Sequence, residues 1–249
     1  MSASTALFDI TGRIVIITGT SSGIGLATAQ AFLQAGARVL GTDRTEAPAV
    51  LTAHPQFGGL TQDLTAEDAG HAVLAACRAR FGEVDVLINN AGIGDAKSIA
   101  LTSDADLARY LAVNVAAPFR LCREVIAAMK GRGGAIINIA SVFGMVGAAN
   151  SSAYAPTKAA VIGMTQQLAT EFGRDGIRVN AVAPGPVETA MLDRFAGSPD
   201  RKSGLLASIP LRRAGRPEEL ADAIVFLASD KASFITGHIV SVNGGRTAS

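Results

Sequence analysis

Three residues in the middle of the chain carry groups that could do proton chemistry: Ser141, Tyr154 and Lys158. In Tyr154-Ala155-Pro156-Thr157-Lys158 the phenol and the ammonium are four residues apart, so on a helix they share one face. A free phenol has a pKa of about 10, and a fixed positive charge beside it lowers that value. A buried pair of this kind is expected to give a proton to a substrate, or take one, near neutral pH. A Tyr-x-x-x-Lys arises often by chance and alone reads first as a solvated helix face. The elements that position it decide.

Residues 13–18 are an apolar run of the sort expected in a strand buried on both faces. The run enters Gly19-Thr20-Ser21-Ser22-Gly23-Ile24-Gly25, and a helical pattern over 24–34 follows until Gly36 stops it. Further strands are expected at 37–42 (ending at Asp43), 57–61 (ending at Asp63), 84–89, 134–140, 177–183 and 239–242. Helices are expected at 47–53, 66–81, 104–129, 153–172 and 217–229. Pro118 falls inside the longest and should kink it, whereas Pro156 is tolerable in a first turn. Residues 184–210 are punctuated by Pro and Gly, with short helical pieces around Met191 and Leu205. Strands alternating with helices imply a parallel sheet covered on both faces. With no repeat, linker or composition break, one domain over 1–249 is expected. The irregular stretch at about 186–210 is its candidate substrate loop.

A strand, a glycine-rich turn and a helix make an anion site: the helix N-terminus offers unpaired N–H groups, and glycines let a pyrophosphate approach the backbone. The spacing is Gly-x-x-x-Gly-x-Gly rather than Gly-x-Gly-x-x-Gly. Asp43 ends the second strand, where a carboxylate can accept from both hydroxyls of an adenosine ribose and repel a 2′-phosphate. Arg44 follows and could pair with such a phosphate, but Thr20-Ser21-Ser22 contains no second cation. NAD is therefore favoured over NADP.

Net charge is +1, with no run of Lys or Arg, so no attraction to nucleic acid or anionic lipid is expected. Met1-Ser2-Ala3-Ser4-Thr5 does not read as a signal peptide, and no apolar run approaches the roughly 20 residues of a membrane helix. Cys77 and Cys122 read as reduced, buried thiols of a cytoplasmic protein. His54, His71 and His238 lack acidic or cysteine partners at ligand spacing, so no metal site is expected.

The glycine loop, Asn89-Asn90-Ala91-Gly92 and Ser141 with Tyr154-x-x-x-Lys158 together resemble the short-chain dehydrogenase/reductase family across essentially the whole chain. Softer matches are Asn114, Pro184-Gly185-Pro186-Val187-Glu188-Thr189, Thr236-Gly237 and Val242-Asn243-Gly244-Gly245. Asn243 stands where Asp is more usual, and Pro156 is an uncommon filler between Tyr and Lys. The resemblance implies a Rossmann-like, doubly wound, seven-stranded parallel sheet and a homotetramer. In that assembly the helices at 104–129 and 153–172 pack on their copies, and the C-terminal strand region forms another interface. It also implies roles. Tyr154 is the general acid/base. Lys158 holds the nicotinamide ribose and depresses the Tyr154 pKa. Ser141 binds the reacting oxygen, and Asn114 holds a water that links Lys158 to solvent. Asn90, Ala91 and Gly92 line the adenosine ribose side, Asp63 and Leu64 frame adenine, and Thr189 with the Val187 backbone meets the carboxamide. Pro184 and Gly185 belong to the same cofactor wall.

The substrate pocket is expected to be walled by Ile93, Val142, Phe143, Met145, Ala148, Val187, Met191, Leu192 and Phe195, most of them apolar. That favours a small neutral ketone or secondary alcohol. Asp95, Lys97 and Arg194 either enter the pocket or face water. An NADPH-dependent 3-oxoacyl reductase is the alternative within the class, for which a basic loop residue would be expected. A dinucleotide-binding regulator without turnover is the alternative outside it, and the presence of Ser141, Tyr154 and Lys158 argues against that reading. An epimerase or dehydratase on this scaffold would usually carry a longer substrate domain.

Overall fold

In β1, Ile14–Thr18, every residue is buried, because helices cover both faces of the sheet it lies within. The computed structural model describes residues 8–248. Successive side chains of β1 go to opposite cores: Val15 and Ile17 to one, Ile14 and Ile16 to the other. This is why the strand shows no polar alternation. β2 (Arg38–Asp43), β3 (Phe57–Thr61), β4 (Val86–Asn89), β5 (Gly134–Ile139), β6 (Ile177–Pro184) and β7 (Ile239–Val242) complete a seven-stranded parallel sheet. Its order is β3-β2-β1-β4-β5-β6-β7. α1 (Gly23–Gln34) and α9 (Pro217–Ala228) pack on one face, through Phe32, Leu220 and Ile224. α2 (Ala49–Thr52) adds Leu51 to the same core. α3 (Ala69–Arg80), α5 (Ala117–Met129) and α6 (Tyr154–Phe172) contribute Val73, Leu121, Val125 and Ala169 to the other face. Residues 186–210 carry α7 (Ala190–Ala196) and α8 (Pro199–Ala207).

The chain order reverses between β1 and β4. In doubly wound sheets the crevice beyond the strand ends at such a point is where ligands bind. Register delivers the chemistry to that edge. Thr18 pairs with Thr42, and Asn89 with Asn138, so Gly19, Asp43, Asn90 and Ser141 all emerge there.

The long helix differs from expectation. The periodicity over 104–129 predicts one helix kinked at Pro118. Instead α4 (Asp104–Leu111) and α5 are joined by a π turn, Ala112–Ala116, and Pro118 is the second residue of α5. The Ala117 N–H donates to the Ala112 carbonyl, five residues back rather than four. Pro118 has no N–H for the Asn114 carbonyl, and the wider turn accommodates that gap. α4 itself starts from a capping box, in which Ser103 and Asp106 satisfy each other's backbone N–H groups.

Gly25 shows how tightly the first helix is seated. A Cβ there would collide with the Gly19 carbonyl and the Asn90 amide. Both atoms belong to the crevice floor and have no room to retreat. Gly25→Ala is therefore expected to lower stability by roughly 2–3 kcal/mol, an overpacking cost. Denaturant unfolding would measure it, and an unchanged midpoint would show that α1 can shift away from β1.

Candidate active site

A cleft of about 680 Å³ runs along the strand ends from Asp43 and Asp63 to Ser141 and Tyr154. Gly19, Ser21, Ser22, Gly23 and Ile24 form its floor on one side. Ser22 precedes α1 without capping it through its side chain, and the first turn contains no acid, so the helix's leading N–H groups stay available to an anion. Opposite them stands Thr189, whose Cγ2 would be 3.1 Å from a Cβ at Gly23. Thr189 Oγ1 donates to the Val187 carbonyl at 3.3 Å. Pro184, Gly185, Val187 and Met191 continue that wall. A Cβ at Gly185 would approach the Asn243 backbone to 2.9 Å, so glycine lets these two chains cross.

At the far end of the cleft the Asp43 carboxylate accepts from Ser21 N (3.0 Å), Ser21 Oγ (2.7 Å) and Arg44 N (2.7 Å). Arg44 and Leu64 line the same end. Asp63 accepts from both the backbone and the hydroxyl of Thr65, which hold its carboxyl below the usual range. In the middle, Asn90 Nδ2 donates to the carbonyls of Thr18 (2.9 Å) and Gly19 (3.1 Å). The Thr18 hydroxyl accepts from the N–H groups of Asn90 and Ala91. Asn90, Ala91 and Gly92 are thereby fixed against the glycine loop.

Ser141, Tyr154 and Lys158 come together at the other end, each less than a tenth exposed. Ser141 caps the 3-10 turn Val142–Gly144, its hydroxyl accepting from Phe143 N at 3.2 Å. Tyr154 opens α6, and Pro156 sits in the first turn, where an N–H has no helical partner to lose. Lys158 Nζ donates to the Ile139 carbonyl at 2.7 Å and lies 5.8 Å from the centre of the Tyr154 ring. Burial pushes the Tyr154 phenol up to about 12, with the Ser141 hydroxyl pulling the other way. Burial also brings the Lys158 ammonium down to about 8. The expected depression of Tyr154 by Lys158 is thus reversed in net direction: desolvation of the phenol dominates, and the ammonium is bonded to a backbone carbonyl.

Four expected residues, Gly25, Ala148, Met145 and Asn114, lie off the cleft wall. Gly25 is packed beneath it. Ala148 lies beyond the exposed Met145 and Val146, which carry the chain away from the site. Met145, also expected in the wall, belongs to that same exposed turn. Asn114 is 1% exposed, and its amide is fully engaged. Oδ1 accepts from Ile93 N (2.9 Å), and Nδ2 donates to Ile93 O (3.0 Å) and Thr157 Oγ1 (3.0 Å). Its side chain clamps the pocket loop. Asp95 and Lys97 also turn away from the cleft. Tyr110 Oη donates to Asp95 at 2.6 Å, and Lys97 pairs with Asp106, while Arg194 lines the opening.

Sequence reasoning passed over the supports: Thr18, Thr157, and the buried chain Asn89–Asn138–Thr165 that links β4, β5 and α6 below the site. Asn89 and Asn138 inside otherwise apolar strands were the available signal. Arg109, Val113 and Leu205 also line the cleft unannounced.

The family model described as enoyl-(acyl carrier protein) reductase matches residues 19–247, the span from the first glycine of the loop to the C-terminal turn. The chain is a short-chain dehydrogenase/reductase. Among its relatives, the 3-oxoacyl-(acyl-carrier-protein) reductase of Salmonella typhimurium is 42% identical over 240 residues, covering 94% of this chain and 97% of that protein. The cis-4-hydroxycyclohexanecarboxylate dehydrogenase of Sinomonas cyclohexanicum is 40% identical over 246 residues, 95% and 97% of the two chains. An oxidoreductase of Thermotoga maritima with no assigned substrate is 38% identical over 247 residues, 95% and 98% of the two. As a short-chain dehydrogenase/reductase the protein is an enzyme acting on CH–OH or C=O groups of small molecules with a nicotinamide dinucleotide. The open amides of α1, the glycine floor and the acid at the end of β2 fit that cofactor. Among the described residues no helix is long and apolar enough to cross a membrane.

Lys158 bears a cost that can be read from stability. An amine whose folded pKa lies below its unfolded value of 10.5 destabilises the fold at every pH below about 8. Between those values stability rises with pH, because the folded chain has lost the proton that the unfolded one still holds. Lys158→Met is therefore expected to melt higher than the parent at pH 7, by roughly 2–4 °C per kcal/mol relieved, with the gap closing towards pH 10. A lower melting point at pH 7 would mean that the bond to Ile139 outweighs the desolvation.

Proposed function

We propose that the protein interconverts a small, largely apolar secondary alcohol and its ketone with NAD(H), using Tyr154 as general acid/base. The observation that carries this reading is a buried Ser141–Tyr154–Lys158 group at one end of a cleft whose other end is marked by Asp43. When bound, the dinucleotide accepts or supplies the hydride. The chain's part is positioning and proton transfer. The glycine loop and α1 hold the pyrophosphate. Asp43 receives the adenosine ribose, with Asp63 and Leu64 beside adenine, and Thr189 and Val187 meet the carboxamide. Lys158 holds the nicotinamide ribose. Ser141 donates to the reacting oxygen, and Tyr154 gives that oxygen its proton in reduction and removes it in oxidation, a contribution typically worth about 10²–10⁴-fold. Ile93, Val142, Phe143, Leu192 and Phe195 supply apolar walls that exclude water around these groups.

The cofactor preference rests on Asp43. Its carboxylate is held at the end of β2 by Ser21 and Arg44 N–H groups, aimed at the end of the cleft where a 2′-phosphate would have to sit. An NADPH-dependent 3-oxoacyl reductase is the second reading, favoured by the activity named for the Salmonella relative and by Arg44 in the cleft wall. We also read the assembly as a homotetramer. Leu107, Leu111 and Phe119 on α4 and α5 are more than two-fifths exposed, as are Leu211 and Phe234 near the C-terminal strand. Apolar groups of this size on helix faces and a sheet edge suit contacts between copies.

Three measurements test these points. Tyr154→Phe should abolish turnover while leaving NADH affinity within about twofold; substantial residual turnover would remove Tyr154 from the acid/base role. Asp43→Ala should narrow the NAD over NADP preference by about tenfold or more, and an unchanged ratio would clear Asp43 of selecting the cofactor. Because the phenol sits at about 12, it holds its proton at pH 7 and must lose it for oxidation. Alcohol oxidation should therefore climb from pH 7 to 10, whereas ketone reduction should not. An oxidation rate that is flat across that range would count against Tyr154 as the base.

A further inference from the structure

Phe195 lies edge-on to the catalytic tyrosine, its ring centre 5.1 Å from that of Tyr154 with the planes at 63°. It meets Phe143 in the same manner at 5.9 Å and 66°. It can approach so closely because residue 94 has no side chain. A Cβ at Gly94 would stand 2.8 and 3.1 Å from Phe195 Cε2 and Cζ, and 3.0 Å from Tyr154 Cε2, the carbon next to the one that bears the hydroxyl. Gly94 is buried and is not among the positive-φ glycines, so its backbone conformation does not call for glycine. Its neighbours are pinned on both sides: Ile93 by the two bonds to Asn114, and Asp95 by the Tyr110 hydroxyl. A side chain at 94 could not be absorbed by moving this loop. The ring of Phe195 would have to yield.

We propose that Gly94 and Phe195 are one specificity-determining pair. The bare backbone at 94 seats Phe195 against Tyr154, and the seated ring limits how wide a group the substrate can carry beside its reacting carbon. Narrow or flat substituents pass alongside the joined rings of Phe195 and Phe143, while bulky ones meet their edges. The proposal rests on the alcohol–ketone reading above and adds which substrates that site admits.

The test is kcat/KM for methyl ketones of rising width, with ethyl, phenyl and 2-naphthyl groups, in the parent, Phe195→Ala, Gly94→Ala and the double variant, with NADH binding titrated in each. Phe195→Ala should raise the naphthyl-to-ethyl ratio by about tenfold or more. Gly94→Ala should lower kcat/KM for the phenyl ketone by about tenfold, and by no more than about threefold once Phe195 is alanine, because coupled neighbours are not additive. NADH affinity should stay within about twofold throughout, since neither residue belongs to the cofactor half of the cleft. A naphthyl-to-ethyl ratio unchanged in Phe195→Ala, or an equal Gly94→Ala loss in both backgrounds, overturns the pair. If Gly94→Ala does not fold, Phe195→Leu decides: a ratio between those of the parent and Phe195→Ala supports the wall, and a ratio equal to the parent's overturns it. A parent enzyme that binds NADH yet turns over none of the ketones, nor the matching alcohols with NAD, overturns the alcohol–ketone reading, and the pair falls with it. Turnover with an unmoved ratio overturns the pair alone.

Discussion

Everything at the working edge of this molecule hangs on the knot between the ends of β1 and β4. Thr18 accepts hydrogen bonds from the backbone and side-chain amides of Asn90 and from Ala91 N, across the one place where neighbouring strands lead their chains apart. A crevice is inevitable there in a doubly wound sheet, but a crevice alone fixes nothing. The Asn90 amide holds the Gly19 carbonyl, so the glycine loop is tied to the loop that leads towards Ile93 and Gly94. Gly92 then lies close to both the Asn114 amide oxygen and the Lys158 ammonium. One set of short bonds thus ties the glycine floor of the cleft to the wall beside Tyr154.

A second theme is the depth at which polar groups are held. Asn89, Asn138 and Thr165 form a hydrogen-bonded line through the layer between sheet and α6. Buried polar groups are costly unless bonded, and the bonds along this line, which leave only Asn89 Oδ1 without a partner, fix the relative position of the elements it crosses. Here it locks β4 and β5 to the helix that carries Tyr154 and Lys158. Tyr154 and Lys158 therefore stand on rigid elements, while Phe195 opposite them stands on α7, a helix of two turns.

Much of this was legible in the sequence. Apolar runs between glycine-rich turns located all seven strands, because the central strands are buried on both faces and carry few polar residues to blur them. Ser141, Tyr154 and Lys158, the glycine loop and Asp43 were readable because their chemistry demands particular residue types at particular element ends. What escaped were contacts made across long sequence separations. Nothing local announces that Tyr110 reaches Asp95 or that Gly94 faces Phe195. The sign of the Tyr154 shift escaped for a related reason: spacing brings an ammonium near a phenol, but only packing tells how much water both have lost. The pinning of the Asn114 side chain to Ile93 escaped too, because it depends on a loop far earlier in the chain.

The π turn between α4 and α5 has one more implication. An α-helix advances about 100° per residue, so a single added residue leaves its two halves out of phase by that angle. Leu107 and Leu111 of α4 face outward, whereas Leu121, Val125 and Met129 of α5 face the sheet. A hydrophobic stripe traced along 104–129 as one helix slips at Asn114. The slip acts as a phase adjuster, letting an outer surface and an inner one be set independently on what looks like a single rod. Removing one residue from this turn would bring the halves back into step and rotate Asn114 away from Ile93. The length of this segment is therefore as tightly constrained as its composition.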